Sequence, residues 1–189
     1  MTAAQLTAPI ALHPEAVPGT PAELRWVLPE LELPVGRLLR APGALGELLK
    51  SGAIESAWCE PHALRIRLRA GLCWREYGAV VRSAVCAATD ELAEWRTDQD
   101  ADTTLRLVVA DVLAGPVGDY LASHGGGLRA TAVCDGVVTV AFGGRCVGCT
   151  AATVTLHHRV EAAIRERYPA LRRVVATPEG AMEPDRKSS

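Results

Sequence analysis

The segment VCDGVVTVAFGGRCVGCT, residues 133–150, contains a turn signal, a β-rich run and two closely spaced cysteines. Asp135-Gly136 separates two runs of alternating apolar residues, and a tight hairpin turn requires residues that tolerate a positive φ angle. We therefore predict a β-hairpin whose second strand leads directly to Cys146 and Cys149. The residues after the cysteines show the apolar spacing of a helix, so the thiols are expected at a junction between a strand and a helix.

The sequence on either side of the hairpin predicts helices. Residues 105–125 are helical in pattern, with a break expected at Gly115-Pro116 and an end at Gly125. A further helix is expected to begin after an N-cap at Thr150. The run LRRVVA after this helix predicts a final strand.

The N-terminal half predicts a second small sheet backed by a helix. The runs ELRWVL, AIESAWCE and HALRIRLRA read as strands, and helical turns are expected in LPVGRLLRAPGALGELLKSGA and from Trp74 to Trp95. In HALRIRLRA the residues Arg65, Arg67 and Arg69 alternate with apolar ones. We expect these arginines to face solvent, in preference to forming an anion site.

Shifts in polarity along the chain predict its domain organisation. The polar run RTDQDADTT is the best candidate for a linker, and both ends of the chain are rich in Pro, Gly and charge. The predicted class is α+β, with two small helix-backed mixed-sheet domains. The predicted segments are a flexible N-terminus at 1–20, a first domain at 21–96, a linker at 97–103, a second domain at 104–176 and a disordered tail at 177–189.

Composition disfavours several classes of partner. The 189 residues are 49% hydrophobic with a formal net charge of -2, and the lysines are Lys50 and Lys187. A single phenylalanine, Phe142, leaves little aromatic surface for stacking bases. We therefore expect neither a nucleic acid nor a membrane as a partner. The opening residues lack the basic and apolar regions of a signal peptide, so a cytoplasmic protein is expected.

The expected surroundings of the two thiols favour a bound anion. A helix N-terminus has unpaired N–H groups and the positive end of a dipole, which favour thiolate over thiol at Cys146 and Cys149. Gly144 and Gly148 carry no side chains, so backbone amides can approach a bulky anionic group. This loop is therefore expected to hold something negative.

Three chemistries are open for the cysteine pair. A thioredoxin-like redox pair also follows a strand and opens a helix, but no proline lies between these cysteines. Zinc requires two more ligands, and His157 and His158 lie roughly 10 Å away by helix rise, where they are expected to be surface groups. An iron–sulfur cluster requires four thiolates, which two copies of the chain would supply on a twofold axis.

The other four cysteines are predicted to be structural. Cys59, Cys73, Cys86 and Cys134 do not form a spaced motif, and a free cysteine commonly acts as a small buried hydrophobe. We therefore expect each of them to pack in a core.

An ordered set of motifs in the C-terminal half carries a family resemblance. Gly125-Gly126 is followed by the Asp135-Gly136 hairpin and then by GRCVGC, residues 144–149, at the start of a helix. With these motifs, residues 105–176 resemble the C-terminal domain of the NifU-like (Nfu) family of iron–sulfur scaffold and carrier proteins. A lone C-x-x-C would be weak support for the resemblance, whereas the ordered set is fairly specific.

The resemblance implies a function without substrate turnover. Cys146 and Cys149 would bind a [4Fe-4S] cluster, or alternatively a [2Fe-2S] cluster, at a homodimer interface and pass it to apo-proteins. Partners would be these client proteins and the cluster assembly machinery, and the protein would not be an enzyme. The alternative function is a thioredoxin-like dithiol oxidoreductase that uses the same pair, and a zinc-clamped dimer is the third. Residues expected to contact the cluster are Gly144, Arg145, Gly148 and Thr150, with Arg145 either offsetting cluster charge or simply facing solvent.

The sequence departs from the family pattern at two places. Thr150-Ala151-Ala152 stands where the family usually has a proline and serines, and His124 and Gly127 replace acidic residues around the glycine pair. These differences leave the thiolates in place. They are expected to act on loop rigidity, cluster lability or client choice.

The first half resembles the N-terminal domain that accompanies this one in mitochondrial-type Nfu proteins. The match lies in APGALGELLKSGAIESAWCEPHALRIRL, residues 41–68, followed by Trp74. It implies a domain without cluster ligands that tunes client docking or dimer geometry. The alternative is an unrelated small α+β domain.

Overall fold

The computed structural model describes residues 10–144 and 150–177. The chain forms two compact units, Met1–Asp100 and Ala101–Ser189, and the division falls inside the stretch predicted to be a linker. Both units combine helices with a sheet, which confirms the α+β class. The predicted linker is partly structured, because a strand ends at Thr97 and a helix begins at Ala101.

The first unit is built on a six-stranded sheet with the order β1-β2-β5-β4-β3-β6. Every described pairing in it is antiparallel, so the predicted mixed sheet is found in the second unit and not here. The elements are β1 His13–Ala16, β2 Glu23–Val27, β3 Gly36–Arg40, α1 Gly43–Lys50, β4 Ile54–Glu60, β5 Ala63–Leu68, α2 Trp74–Thr89, a 3-10 turn at Leu92–Glu94 and β6 Arg96–Thr97.

Besides β6 at the start of the predicted linker, two further strands lie where the sequence predicted other structure. The strand β1 lies in the N-terminal stretch that was predicted to be flexible, and it pairs with β2 as a short edge strand that contains Pro14. The strand β3 lies where helical turns were predicted before Pro42, and only the helix after Pro42 is present. Both strands form through pairing with distant residues, and local sequence patterns do not report such pairing.

The core of the first unit lies between one face of the sheet and its helices. Leu64, Ile66 and Leu68 of β5 are buried, as their alternation predicted. On α2, Val81 and Val85 are fully buried at helical spacing. The predicted helix after Trp74 is therefore confirmed as far as Thr89.

The predicted solvated face is wrong for Arg65 and Arg67 of β5, whereas Arg69, just after the strand, is exposed as predicted. Arg65 is buried, and its guanidinium Nη2 lies 2.9 Å from Oε2 of Glu23 on β2. The half-exposed Arg67 places its Nη2 2.6 Å from the other oxygen of Glu23. A second buried pair joins Arg25 Nε to Glu60 Oε2 at 2.7 Å. Period-two alternation predicts that a strand has one apolar face and one polar face. It does not reveal that a carboxylate on the neighbouring strand neutralises the arginines of the polar face.

The Arg25–Glu60 pair yields a stability prediction. Glu60 is fully buried, so Glu60→Gln removes the buried counter-charge of the Arg25 guanidinium and leaves it paired only with the half-exposed Glu15, at 2.6 Å. We expect a loss of about 3 kcal/mol of unfolding free energy. Urea unfolding followed by tryptophan fluorescence measures this loss, since all four tryptophans lie in the first unit. The control is Glu47→Gln in the exposed Glu47–Lys50 pair, which should change stability by less than about 0.5 kcal/mol. Equal effects of the two substitutions would contradict the prediction.

The described residues of the second unit form a three-stranded mixed sheet and three helices. The sheet order is β7-β8-β9, with β7 antiparallel to β8 and β9 parallel to it. The predicted break between the first two helices is confirmed, since Pro116 is the first residue of the second one. The elements are α3 Ala101–Ala114, α4 Pro116–Ser123, β7 Gly126–Cys134, β8 Val137–Gly144, α5 Thr150–Arg167 and β9 Arg173–Thr177.

Buried contacts fix α3 and α5 to each other. Val108 of α3 and Val160 and Ile164 of α5 are fully buried. At the polar margin, Arg167 Nη2 lies 2.9 Å from Oδ2 of Asp111. These contacts hold the helix that follows the cysteine segment.

The hairpin turn is bound to the start of α3 by one carboxylate. The backbone N–H groups of Asp135 and Gly136 donate to the two oxygens of Asp102, at 3.0 and 3.3 Å. Both of these turn residues have positive φ angles, 50° and 71°, as the predicted primed turn requires. Asp102 therefore satisfies two donors that the turn leaves unpaired.

Removal of the Asp102 carboxylate should weaken the hairpin. We expect Asp102→Ala to cost about 2 kcal/mol, because two backbone donors lose a charged acceptor. Native-state amide hydrogen exchange of β7 and β8 measures the loss in this unit alone. Glu166→Ala, on the exposed side of α5, should change exchange by less than about 0.5 kcal/mol. If amide exchange of β7 and β8 were unchanged in the Asp102 variant, the turn would be stable without these two hydrogen bonds.

Candidate functional site

The β7–β8 hairpin determines where the cysteine segment begins. The register pairs Cys134 with Val137 beside the turn and Gly126 with Gly144 at the far end. The chain therefore enters the cysteine segment at the end of the sheet opposite the turn. Gly126 is the second residue of the predicted glycine pair.

The predicted ligands lie in the segment that follows. Arg145, Cys146, Gly148 and Cys149 are outside the described residues, so their predicted roles remain predictions. The residues on either side are described, since Gly144 ends β8 and Thr150 begins α5. Five residues, 145–149, therefore connect the end of a strand to the start of a helix.

Glycines line the strand ends at this edge of the sheet. Gly126 lies opposite Gly144, and Gly127 lies opposite Gly143. Gly125 has a φ angle of 69° just after α4, which confirms its predicted role in ending that helix. A Cβ at Gly127 would meet no atom within 4 Å. The backbone is therefore accessible next to the cysteine segment.

The helix α5 supplies a favourable electrostatic environment at the other end of the segment. It has 18 residues and begins at Thr150, so its first N–H groups have no partners within the helix. Thr150 is thus the first helical residue, whereas it was predicted as the N-cap just before the helix. The positive end of the dipole still lies next to residue 149, where it favours a thiolate.

Cys134 lies at the opposite end of the hairpin from the residue that leads into the cysteine segment. It ends β7 beside the turn, eight residues from Gly126, and a strand rises about 3.4 Å per residue. The distance along the strand is therefore about 27 Å. The described cysteine of the second unit, Cys134, is therefore far from the strand end at which the chain enters the C-x-x-C segment.

The other isolated cysteines differ in exposure. Cys59 is fully buried, and burial together with the charge of Asp98 raises the pKa of its thiol, so the predicted core role is confirmed. Cys86 is half-buried against the same core. Cys73 and Cys134 are exposed, so the predicted core role is wrong for them. Cys73 lies just before α2 and Cys134 is the last residue of β7, so both are at the end of an element.

The predicted surface histidines are adjacent on α5. His158 is exposed, which agrees with the prediction. The side chain of His157 lies outside the described part of the chain.

Sequence reasoning missed two polar clusters in this unit. Arg159 of α5 lies over the ring of Tyr120 on α4, 5.1 Å from its centroid, and His124 contacts the same ring edge-on at 4.8 Å. Near the hairpin turn, a thiol and two carboxylates lie within 4.8 Å of one another, in Cys134, Asp135 and Asp102. The Asp102 oxygens there are already bound to the turn. No local pattern indicates either cluster, since each joins separate elements.

Comparison with known proteins relates the second unit to a family of domains. The family model described as NifU-like domain matches residues 109–175, which span most of the described second unit. Residues 109–175 are therefore similar to a NifU-like domain. The resemblance that was carried by the glycine pair, the Asp-Gly turn and the C-x-x-C segment is thereby confirmed.

Several relatives carry the name Fe/S biogenesis protein NfuA. The one from Shewanella amazonensis is 31% identical over 97 residues, which cover 46% of this chain and 50% of the relative. The one from Acinetobacter baumannii is 38% identical over 79 residues, 39% of this chain and 37% of the relative. The one from Idiomarina loihiensis is 39% identical over 59 residues, 31% of each chain. The chain thus matches half or less of the length of these Nfu relatives.

A helix needs about 20 predominantly apolar residues to cross a bilayer. Within residues 10–144 and 150–177, none of the helices is long and apolar enough to cross a membrane.

Cys134 offers a test of the electrostatics at the hairpin turn. The charge of Asp135, and a 3.6 Å hydrogen bond from the thiol to this carboxylate, raise the pKa of Cys134. A raised pKa leaves less thiolate at pH 8, so Asp135→Asn should lower the pKa and speed alkylation of Cys134 by iodoacetamide. Asparagine also tolerates the positive φ angle of this turn.

Peptide mass spectrometry of the alkylated protein follows this one thiol. Asp119→Asn is the control, because Asp119 is not among the groups that shift the pKa of Cys134. If Asp135→Asn left the alkylation rate of Cys134 unchanged, Asp135 would not be the cause of the raised pKa.

Proposed function

We propose that the chain is an iron–sulfur carrier that binds a [4Fe-4S] cluster through Cys146 and Cys149 at a homodimer interface and transfers it to apo-proteins. The cluster is cargo and not a resident catalytic group, and the protein is not an enzyme. The names of the Fe/S biogenesis relatives support this function. The observation that carries it is the position of residues 145–149, between a glycine-lined strand end and the start of α5.

The number of thiolates supports a dimer. A four-iron cluster is held by about four cysteine thiolates. Cys134 lies about 27 Å along β7 from Gly126, which pairs with the last residue before the C-x-x-C segment, so we expect the second unit to offer two thiolates to one cluster. Two copies related by a twofold axis would provide the full set from identical segments.

The surroundings of the segment favour both binding and release of the cluster. The N-terminus of α5 stabilises thiolates and the negative charge of the cluster. Gly144 and Gly148 leave backbone amides free to approach it, Thr150 begins the helix, and Arg145 offsets part of its charge. Release proceeds by ligand exchange, in which a client thiolate binds iron as a thiolate of the carrier leaves. Iron and sulfide keep their oxidation states in this step.

The proposal extends to partners and compartment. Clients are apo-proteins with open cysteine ligands, and the cluster assembly machinery supplies the cargo. A carrier with reactive thiolates needs a reducing compartment, which favours the cytoplasm.

The experiment that tests the function counts iron, zinc and acid-labile sulfide after anaerobic purification, with native mass on the same sample. We expect about two iron and two sulfide per chain in a dimer. Cys146→Ser and Cys149→Ser should each lose the cluster and keep the fold. Cys73→Ser and Cys134→Ser are the matched controls, since both cysteines are exposed and lie outside the motif.

Other outcomes would select a different function. Full iron in either Cys146→Ser or Cys149→Ser would refute the assignment of ligands. A metal-free monomer with a reducible Cys146–Cys149 disulfide would indicate a dithiol oxidoreductase. One zinc per dimer would indicate a structural clamp, and a cluster with half the expected iron would indicate [2Fe-2S].

A further inference from the structure

The six-stranded sheet of the first unit opens between β3 and β4. Only two residue pairs join these strands, Gly36 with Cys59 and Arg37 with Trp58. Beyond Arg37, β3 continues to pair with β6 on its other side. Over the same stretch β4 continues to pair with β5 as far as Ile54. The two inner edges therefore diverge while each strand stays attached to its outer neighbour.

The gap between the strands contains a cavity of about 330 Å³. Helix α1 forms part of its wall, and a Cβ on Gly46 of that helix would overlap the carbonyl oxygen of Ala41. The helix is thus already in contact with the chain just after β3 and cannot move further toward it. The buried apolar lining consists of Leu38, Ala41, Ile54 and Ala57.

The rim of this β3–β4 cleft is mainly basic. Its charged lining residues are Arg37, Arg40, Lys50 and Glu55. Lys50 is already paired, because its Nζ lies 2.8 Å from Oε1 of Glu47. Within the described part of the chain, the exposed guanidinium groups of Arg37 and Arg40 have no ion-pair or hydrogen-bond partner. Two cations are therefore available to a ligand.

An exposed apolar side chain adds to the surface of the cleft. Leu39 is 59% exposed and lines the cavity between the two free arginines. A cavity near 300 Å³ lies at the small end of the range for ligand sites, about 300–1,000 Å³. It has room for one or two side chains and is small for a nucleotide or a larger cofactor.

We propose that the β3–β4 cleft binds an extended segment of a partner protein that alternates acidic and apolar residues. An added strand uses the open backbone edge, as in β-strand addition, and places alternate side chains on opposite faces. Its apolar side chains enter the cavity, and its carboxylates pair with Arg37 and Arg40. A nucleic acid would match the charge but would leave the apolar lining and strand edges unused.

This site does not depend on the cysteines of the second unit. Binding of the segment should persist in Cys146→Ser, so failure of the cluster assignment and failure of the cleft proposal can be told apart.

The test uses the full chain and a fluorescent eight-residue peptide with capped ends that alternates glutamate and valine. Fluorescence anisotropy should show saturable binding at 50 mM salt, weaker at 500 mM. The double variant Arg37→Glu, Arg40→Glu should weaken binding by about tenfold or more. Glu55→Lys should tighten binding, since it removes the acidic group of the rim. The control Arg82→Glu, on the exposed side of α2, should bind as the wild type does.

Amide hydrogen exchange separates strand addition from adhesion to a basic surface. We expect the peptide to slow exchange at residues 38–40 and 54–57, with no change across α2. A peptide that alternates lysine and valine should not bind. The protein variants, which are the double arginine variant, Glu55→Lys and Arg82→Glu, all change exposed side chains. Circular dichroism spectra that match the wild type would confirm that each variant keeps the fold.

Several results would overturn the proposal. They are absence of binding at 1 mM peptide, equal binding of the lysine peptide, equal loss in the Arg82 control, or binding without protection of β3 and β4. Self-association that is lost in the double variant, without peptide binding, would make the cleft an interface between copies of this chain. Binding of a single-stranded RNA oligonucleotide in place of the peptide would also reject it.

Discussion

The antiparallel pairing of β7 with β8 is the constraint on which the second unit depends. Its register is set at the Asp135-Gly136 turn, where both residues have positive φ angles and Asp102 accepts both backbone N–H groups. From this turn the ladder runs to Gly126 opposite Gly144, with a one-residue shift in register between Ala130 and Ala132. A slip by one residue would exchange the buried and exposed faces of both strands and displace the start of the cysteine segment. The point at which the chain enters the cysteine segment therefore depends on the opposite end of the sheet.

The first unit depends on a different balance. One face of its sheet packs on apolar side chains, and the other is neutralised by pairs such as Arg25–Glu60 and Arg65–Glu23. These pairs lie on β2, β4 and β5, which are joined by long ladders. The sheet opens beyond Arg37, where β3 and β4 stop pairing. The central strands are fully paired, whereas β3 and β4 are paired only at one end. This arrangement suits the proposed docking role, because a partner strand could be added between β3 and β4 while the other strands stay paired.

The two proposed sites divide the work of a carrier between the units. The C-x-x-C segment would hold the cargo through sulfur, with α5 supplying a positive dipole end. The β3–β4 cleft would recognise an acidic extended segment through backbone edges and arginines. Thiolate exchange requires that donor and acceptor cysteines meet. A second contact elsewhere on the carrier would raise their effective concentration without altering the ligands.

The amino-acid sequence was sufficient to predict the hairpin, the break at Gly115-Pro116, the helix after the cysteines and the resemblance of residues 109–175 to a NifU-like domain. Each of these depends on local turn chemistry or on a short ordered motif. Local patterns did not reveal β1, β3 or the burial of Arg65. These features arise from residues far apart in the chain, which supply ladder partners and counter-charges. The tertiary structure alone decided that Cys134 lies about 27 Å along the strand from the glycine-lined end. Spacing along a chain fixes which thiols are neighbours in sequence, whereas strand register fixes which of them share one end of a sheet.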